Sequence, residues 1–410
     1  MERKNATNDL EFDSRWRTLS VILQFINRME PIFKDLKVLE LASVLAGPSV
    51  GQFFAELGAE VIKVENLKSG GDVTRTWKVS GEKEGDLSAY FCSCNWGKKS
   101  IAVDLNSKEG KEIVQKLASK SDVVIASYKP GDAEKLGVVY EQLRTNNEQL
   151  IYGQITGYGS DNDRVGYDAV IQAEAGFMDL NGEKDGPPTK MPVALIDILA
   201  GHQLKEGLLL ALLKRDRTGE GSLVEVSLIQ TAISSLANQA TNWLTTGKLP
   251  TRKGSAHPNI APYGESFLTG DGKRILLAIG SDRQFEDLTK LLGIGGDVLG
   301  DKFSTNQQRV ENRTTLNHLL EERMAKVDSK IFLDKANRKK IPAGVIQNLK
   351  EVFEMKEARE LVISRNGLSG VESFVTGRAA SFKLPASSLL PPPHFGEHTD
   401  EILRQLTIID

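Results

Sequence analysis

Asp197 has the most unusual surroundings of any carboxylate in the sequence, standing in Val193-Ala194-Leu195-Ile196-Asp197-Ile198-Leu199-Ala200-Gly201 with apolar residues on both sides. From the residues alone two readings are open. Aspartate is a favoured helix N-cap, satisfying backbone donors that have no intrahelical acceptor. It is also a nucleophile, and a helix N-terminus would help it by keeping the carboxylate ionised. Spacing by itself favours the cap. Gly166-Tyr167-Asp168 follows a polar, glycine-rich loop and precedes Val170 to Met178, so its side chains are placed to line a cleft at a strand end. A plain turn accounts for that triplet equally well.

Other chemistries have thin support. The histidines, at 202, 257, 318, 394 and 398, are scattered. Only His394 and His398 share a local segment, and Pro391 to Pro393 with Gly396 make it unsuited to a helical metal pair. No H-E-x-x-H, repeated C-x-x-C or G-x-S-x-G occurs. Neither G-x-G-x-x-G nor G-x-x-x-x-G-K-[ST] follows a strand-like run, which disfavours dinucleotide and P-loop chemistry.

The elements that must position Asp197 read as β-α-β units. Strand-like runs at Lys37 to Leu41, Glu60 to Glu65, Ser100 to Leu105, Asp122 to Ser127 and Leu150 to Thr156 alternate with helix-length segments such as Pro48 to Leu57 and Ser107 to Lys120. Parallel strands with helical crossovers follow, and an α/β class. Val193 to Lys214 has helical character and closes with Arg215, Arg217 and Gly219, which suit a helix C-terminus. Ser222 to Val226 reads as a strand, and Leu228 to Thr245 as one helix leading to a second domain. Thr269-Gly270-Asp271-Gly272 between strand-like runs signals a hairpin, and Asp282 to about Asn337 is mostly helical.

A chain of 410 residues exceeds the roughly 250 to 300 residues at which single cores stop growing. The expected division is an N-terminal extension at 1–35, a large domain at 36–245, a small domain at 246–345, and a return segment at 346–410 that completes the large one. Asn5 to Arg15 is polar, Leu19 to Met29 suits a short amphipathic helix, and Met29 is an alternative start. A net charge of -3 offers no field for nucleic acid. Cys92 and Cys94 are too close for a disulfide framework, so a reducing compartment, the cytoplasm, is expected. No apolar run approaches the ~20 residues of a membrane helix.

An ordered set of segments resembles the CaiB/BaiF family, the class III CoA-transferases. It includes Leu45-Ala46-Gly47-Pro48, Leu57-Gly58-Ala59-Glu60-Val61-Ile62-Lys63-Val64-Glu65, Gly71-Asp72-Val73-Thr74-Arg75 and Asn95-Trp96-Gly97-Lys98-Lys99-Ser100. Tyr128-Lys129-Pro130-Gly131, Gly166-Tyr167-Asp168, Asp185-Gly186-Pro187-Pro188, Asp197 and Gly396-Glu397-His398-Thr399 follow in family order. The resemblance runs from about residue 36 to the end. It implies a Rossmann-like large domain with a parallel sheet, a smaller α+β domain, and an interlocked homodimer. It further implies a transferase that moves CoA between carboxylic acids, with Asp197 as nucleophile and Tyr167 and Asp168 beside it.

The substrate would be a coenzyme A thioester, with no tightly bound cofactor and no metal. By the same resemblance, Leu45, Ala46, Val103, Ser127, Tyr128, Lys135 and Leu136 would contact coenzyme A, Tyr128 offering its ring to adenine and Lys135 its charge to phosphate. Asn66 and Asn106 depart from family positions where basic residues occur. The Ala256 to Tyr263 block and the closing segment look like the succinyl-CoA:dicarboxylate branch, glutarate or hydroxymethylglutarate. Racemases of this fold carry G-H-D where this chain has Gly166-Tyr167-Asp168, and tyrosine, with a pKa near ~10, is a poor base at neutral pH. A non-catalytic CoA-binding protein is the third reading, against which Asp197 argues.

Overall fold

Six parallel strands form one sheet in the order β3-β2-β1-β4-β5-β6, in a computed structural model that describes residues 31–359, 361–363, 373–374 and 389–408. The strands are β1 (Lys37–Leu41), β2 (Glu60–Asn66), β3 (Lys98–Val103), β4 (Val123–Ala126), β5 (Ile151–Thr156) and β6 (Ser222–Ser227). Apolar β4 is buried along its whole length, as a central strand covered on both faces must be. The order reverses between β1 and β4, and such a switch point opens a crevice at the carboxyl ends of the strands. The expected extension up to residue 30, with its Leu19 to Met29 helix and Met29 start, lies outside the described residues.

Helix α1 (Ala46–Glu56) connects β1 to β2 and is buried throughout. Helix α2 (Lys108–Ser119) follows β3, α3 (Asp168–Glu174) follows β5, and α4 (Leu195–Thr218) precedes β6. The end of α4 agrees with the sequence reading: Gly219 takes the left-handed conformation and its N–H bonds to the Arg215 carbonyl. The single helix expected over Leu228 to Thr245 is instead two, α5 (Leu228–Ser234) and α6 (Ala237–Thr246). Ser234 and Ser235 both turn their hydroxyls back onto the Thr231 carbonyl, at 3.0 and 2.7 Å, and Ala237 has φ +48. Serine hydroxyls that compete for a helix carbonyl weaken the next turn. The C-terminal helix, Thr399–Ile408, buries Ile402 and Leu406 in the core of this unit.

A second compact unit comprises Gly176–Pro192 and Leu236–Met355. Strands β7 (Tyr263–Leu268), β8 (Arg274–Ala278) and β9 (Ala343–Val345) form its antiparallel sheet. The anticipated hairpin joins β7 to β8, with Thr269 N–H on the Lys273 carbonyl at 2.9 Å. Phe267, Ile275, Leu277, Phe285, Leu288, Leu316, Leu320 and Phe332 make its core. Two segments that the sequence reading placed in the large domain group here, Gly176–Pro192 and α6. Gly254 N–H to the Gly182 carbonyl, 3.2 Å, and Arg252 to Asp179, 3.1 Å, tie residues 176–192 to the chain beyond α6. Among the described residues no helix is long and apolar enough to cross a membrane.

The first unit also buries charge. Lys63 Nζ lies 2.9 Å from Glu40 Oε1 and 3.0 Å from Asp72 Oδ2, and it donates to the Ala42 carbonyl at 2.7 Å. Lys98 Nζ is 2.8 Å from Glu40 Oε2, close as an ion pair but poorly aligned as a hydrogen bond. Gly51 is required where α1 crosses this pair, since a Cβ there would stand 1.9 Å from Glu40 Oε2. Burial opposes the Lys63 charge, yet Glu40, Asp72 and Glu65 together hold the ammonium above its ordinary range. Burial likewise favours the neutral form of Glu65, but Arg75 and Lys63 hold that carboxyl below the ordinary range.

Candidate active site

The crevice between β1 and β4 is closed on one side by the start of α1. Ser43 N–H reaches Ser127 Oγ at 3.2 Å, linking the two strand ends. Leu45 is the N-cap of α1 and makes no side-chain cap. The amides of Ala46 and Gly47 therefore sit in a first turn without intrahelical acceptors, and Pro48 has no amide hydrogen.

Helix α4 comes close to α1 at Gly201, where a Cβ would stand 2.6 Å from Ser49 Oγ and 3.1 Å from the Ala46 carbonyl. Asp197 is one turn earlier on the same face of α4, so the small residue that permits this approach also sets the carboxylate beside the first turn of α1. Ala46, Gly47, Ser127, Tyr128, Tyr167 and Asp197 line one cleft of about 250 Å³.

Asp197 is 8% exposed and occupies the third position of α4, whose N-cap is Ala194. It does not cap the helix. Asp168 does so from another element: its Oδ1 accepts from Ile196 N–H at 2.8 Å, and its Oδ2 accepts from Gln172 at 2.7 Å. With both oxygens committed, Asp168 is a fixed negative charge behind Asp197. Burial first, and Asp168 second, push Asp197 from its ordinary 3.8 up to about 7.

The helix terminus therefore does not hold the Asp197 carboxyl in its ordinary range. A helix end contributes up to ~2 kcal/mol, whereas a rise of that size corresponds to about 4 kcal/mol, so burial prevails. Asp168→Asn keeps an oxygen for Ile196 N–H and removes the charge. We expect Asp197, pushed up to about 7 in the wild type, to titrate about half to one pH unit lower in this variant, as followed by carboxyl NMR. An unmoved titration would show that Asp168 exerts no field on Asp197.

The other anticipated residues divide. Tyr167 is exposed on the cleft rim. Tyr128 packs against the core, burial pushes its phenol up to about 12, and it borders a second cleft of about 300 Å³ lined also by Asn66 and Asp72. Leu45, Val103, Lys135 and Leu136 line neither cleft. Val103 is buried at a strand end and Leu136 packs on the core. Lys135 is exposed, 3.4 Å from Asp132. His394 bonds Asp86 at 2.7 Å, and His398 Nδ1 accepts from Ser100 N–H at 3.2 Å.

Two residues, one in the field of the aspartates and one in the cleft, escaped sequence reasoning. Burial, then Asp197, then Cys94 and Asp168 push the Tyr90 phenol up to about 12, which puts Tyr90 within the field of the two aspartates. Arg164 lines the cleft and pairs with Glu174. Neither belongs to a periodic pattern that would have singled it out.

Comparison with known proteins gives a consistent set of relatives. Residues 33–399 match the model of CoA-transferase family III. The succinate–glutarate CoA-transferase of Agrobacterium fabrum is 38% identical over 394 residues, covering 94% of this chain and 98% of that protein. The succinyl-CoA:glutarate CoA-transferase of Homo sapiens is 34% identical over 391 residues, covering 94% of this chain and 88% of that protein. A crystal structure of a CAIB/BAIF family protein from Brucella suis superposes with a TM-score of 0.79 at 40% identity, covering 92% of this chain and all of that one.

Proposed function

The chain belongs to CoA-transferase family III and is a CoA-transferase, and on that premise we propose that it moves coenzyme A between two carboxylic acids through a covalent intermediate on Asp197. One observation carries this reading. Asp197 is a buried carboxylate that faces the cleft beside the first turn of α1, while the neighbouring Asp168 has both oxygens committed.

The carboxylate of Asp197 attacks the carbonyl carbon of a donor thioester, and the C–S bond breaks. A mixed anhydride and CoA thiolate result. The thiolate then attacks the aspartyl carbonyl carbon, releasing the donor as its carboxylate and leaving an aspartyl-CoA thioester. An acceptor carboxylate attacks that thioester and expels CoA thiolate, giving a second mixed anhydride, and the thiolate then attacks the acceptor carbonyl carbon, forming acceptor-CoA and freeing the Asp197 carboxylate. Nucleophilic attack needs the ionised carboxylate, and the storage of acyl energy on the enzyme prevents its loss to water. Ala46 and Gly47 amides supply oriented donors for the oxyanions.

Ser127 and Tyr128 contact the coenzyme in this reading, and Lys135 extends toward its phosphates. Dicarboxylates such as succinate and glutarate are the proposed acids, because the relatives named above carry those substrates in their names. The reading includes an interlocked homodimer in the cytoplasm. Wild-type protein incubated with succinyl-CoA and then treated with hydroxylamine should carry a hydroxamate on Asp197, located by peptide mass spectrometry. A panel of acids assayed against succinyl-CoA should show CoA passing to glutarate. Modification at another residue, or none, would overturn the covalent route.

A further inference from the structure

Val44 lies between β1 and α1 in the left-handed region, with φ +73. A β-branched residue resists that conformation, so something must hold it there. Its N–H faces both oxygens of Asp72, each at 3.3 Å, and its carbonyl accepts from Cys94 Sγ at 3.5 Å. Asp72 is itself clamped. It meets Lys63 Nζ at 3.0 Å, and its Oδ1 accepts from Thr74 N–H and Thr74 Oγ1 at 3.0 and 2.8 Å. Its own N–H donates to Glu65 Oε2 at 2.8 Å. This anchored carboxylate is 4% exposed and has no step in the transfer chemistry.

The residue after Val44 is the N-cap of α1, so the torsion at Val44 sets the direction in which the Ala46 and Gly47 amides point. We propose that Asp72 is a positioning residue for CoA transfer: it holds Val44 left-handed and thereby aims the first turn of α1 at the carbonyl bound beside Asp197. This rests on the covalent reading above. Donors preorganised on an oxyanion act on the rate more than on substrate binding, which separates this role from general support of the fold.

The test is a double-mutant cycle of Asp72→Ala, which leaves Val44 N–H no side-chain acceptor, and Val44→Gly, because glycine adopts positive φ freely. In the wild-type background Asp72→Ala should lower kcat by roughly five- to thirtyfold, the size of the left-handed penalty, with KM for succinyl-CoA moving less than about threefold. In the Val44→Gly background the same substitution should lower kcat by less than about threefold. If Asp72→Ala does not fold, Asp72→Glu retains the charge opposite Lys63 and displaces the carboxylate from Val44. The same loss and the same relief by Val44→Gly are then expected. An undiminished kcat, or a loss equal in both backgrounds, would overturn the proposal. Failure of the covalent reading registers separately, as the absence of a trapped Asp197 adduct in wild-type protein.

Discussion

Asp197→Asn is expected to lower CoA transfer by about four orders of magnitude and to make the folded protein more stable above neutral pH. The first effect follows from the proposed covalent route: an amide forms neither the anhydride nor the aspartyl thioester. The second follows from burial. Asp197 titrates near 7 in the fold against an ordinary 3.8, so the folded state binds the extra proton between those values. Stability is therefore undiminished by this group below about pH 4, falls as pH rises through the window from 4 to 7, and carries the full penalty above 7.

That penalty is at most about 4 kcal/mol, and the variant should recover roughly 1–3 kcal/mol of it at pH 8 and almost none at pH 4. Urea denaturation at the two pH values, beside a transfer assay, measures both effects. Turnover at wild-type rates would remove Asp197 from the chemistry. Equal stability changes at both pH values would mean that its carboxylate ionises without strain in the fold.

Lys63→Met is expected to destabilise the protein by about 3–5 kcal/mol, because it leaves buried carboxylates without their cation. Glu40 would keep Lys98, while Asp72 would keep only hydrogen-bond donors. Lys63 is held above its ordinary 10.5, so its contribution is complete below that value and fades only at higher pH. The loss should accordingly be equal at pH 6 and pH 8. Asp72 is a different case: burial favours its neutral form, but Lys63 and the Thr74 donors hold it low. Without Lys63 that protection shrinks, and the variant should become more sensitive to acid. Lys273→Met, which removes an exposed pair with Glu351, should leave the unfolding midpoint almost unchanged, because solvent screens such a pair. Similar midpoints for Lys63→Met and wild type would contradict the role assigned to the buried ion network.

Much of the architecture is legible in the sequence because it depends on local period. Short apolar runs separated by helix-length segments specify parallel strands with crossovers, and β1 falls on Lys37–Leu41 as read. The end of α4 is equally local, since Gly219 follows the last helical residue. Asp197 is visible as an anomaly, a lone carboxylate inside an apolar run.

Its environment is not visible, because the groups that define it come from other parts of the chain. Asp168 starts a different helix, and only packing brings it to Ile196 N–H. Tyr90 arrives from the connection between β2 and β3, where nothing in its spacing relates it to an aspartate. The break between α5 and α6 depends on a backbone reversal at Ala237, a residue whose type favours a continuous helix. Val44 is the sharpest instance: valine disfavours the conformation it adopts, and Asp72 supplies the hydrogen-bond acceptor that holds it. Sequence determines what each segment prefers over a few residues. Tertiary structure decides where a preference is overruled, because a buried charge and its partners act through space across crossovers that no local pattern spans.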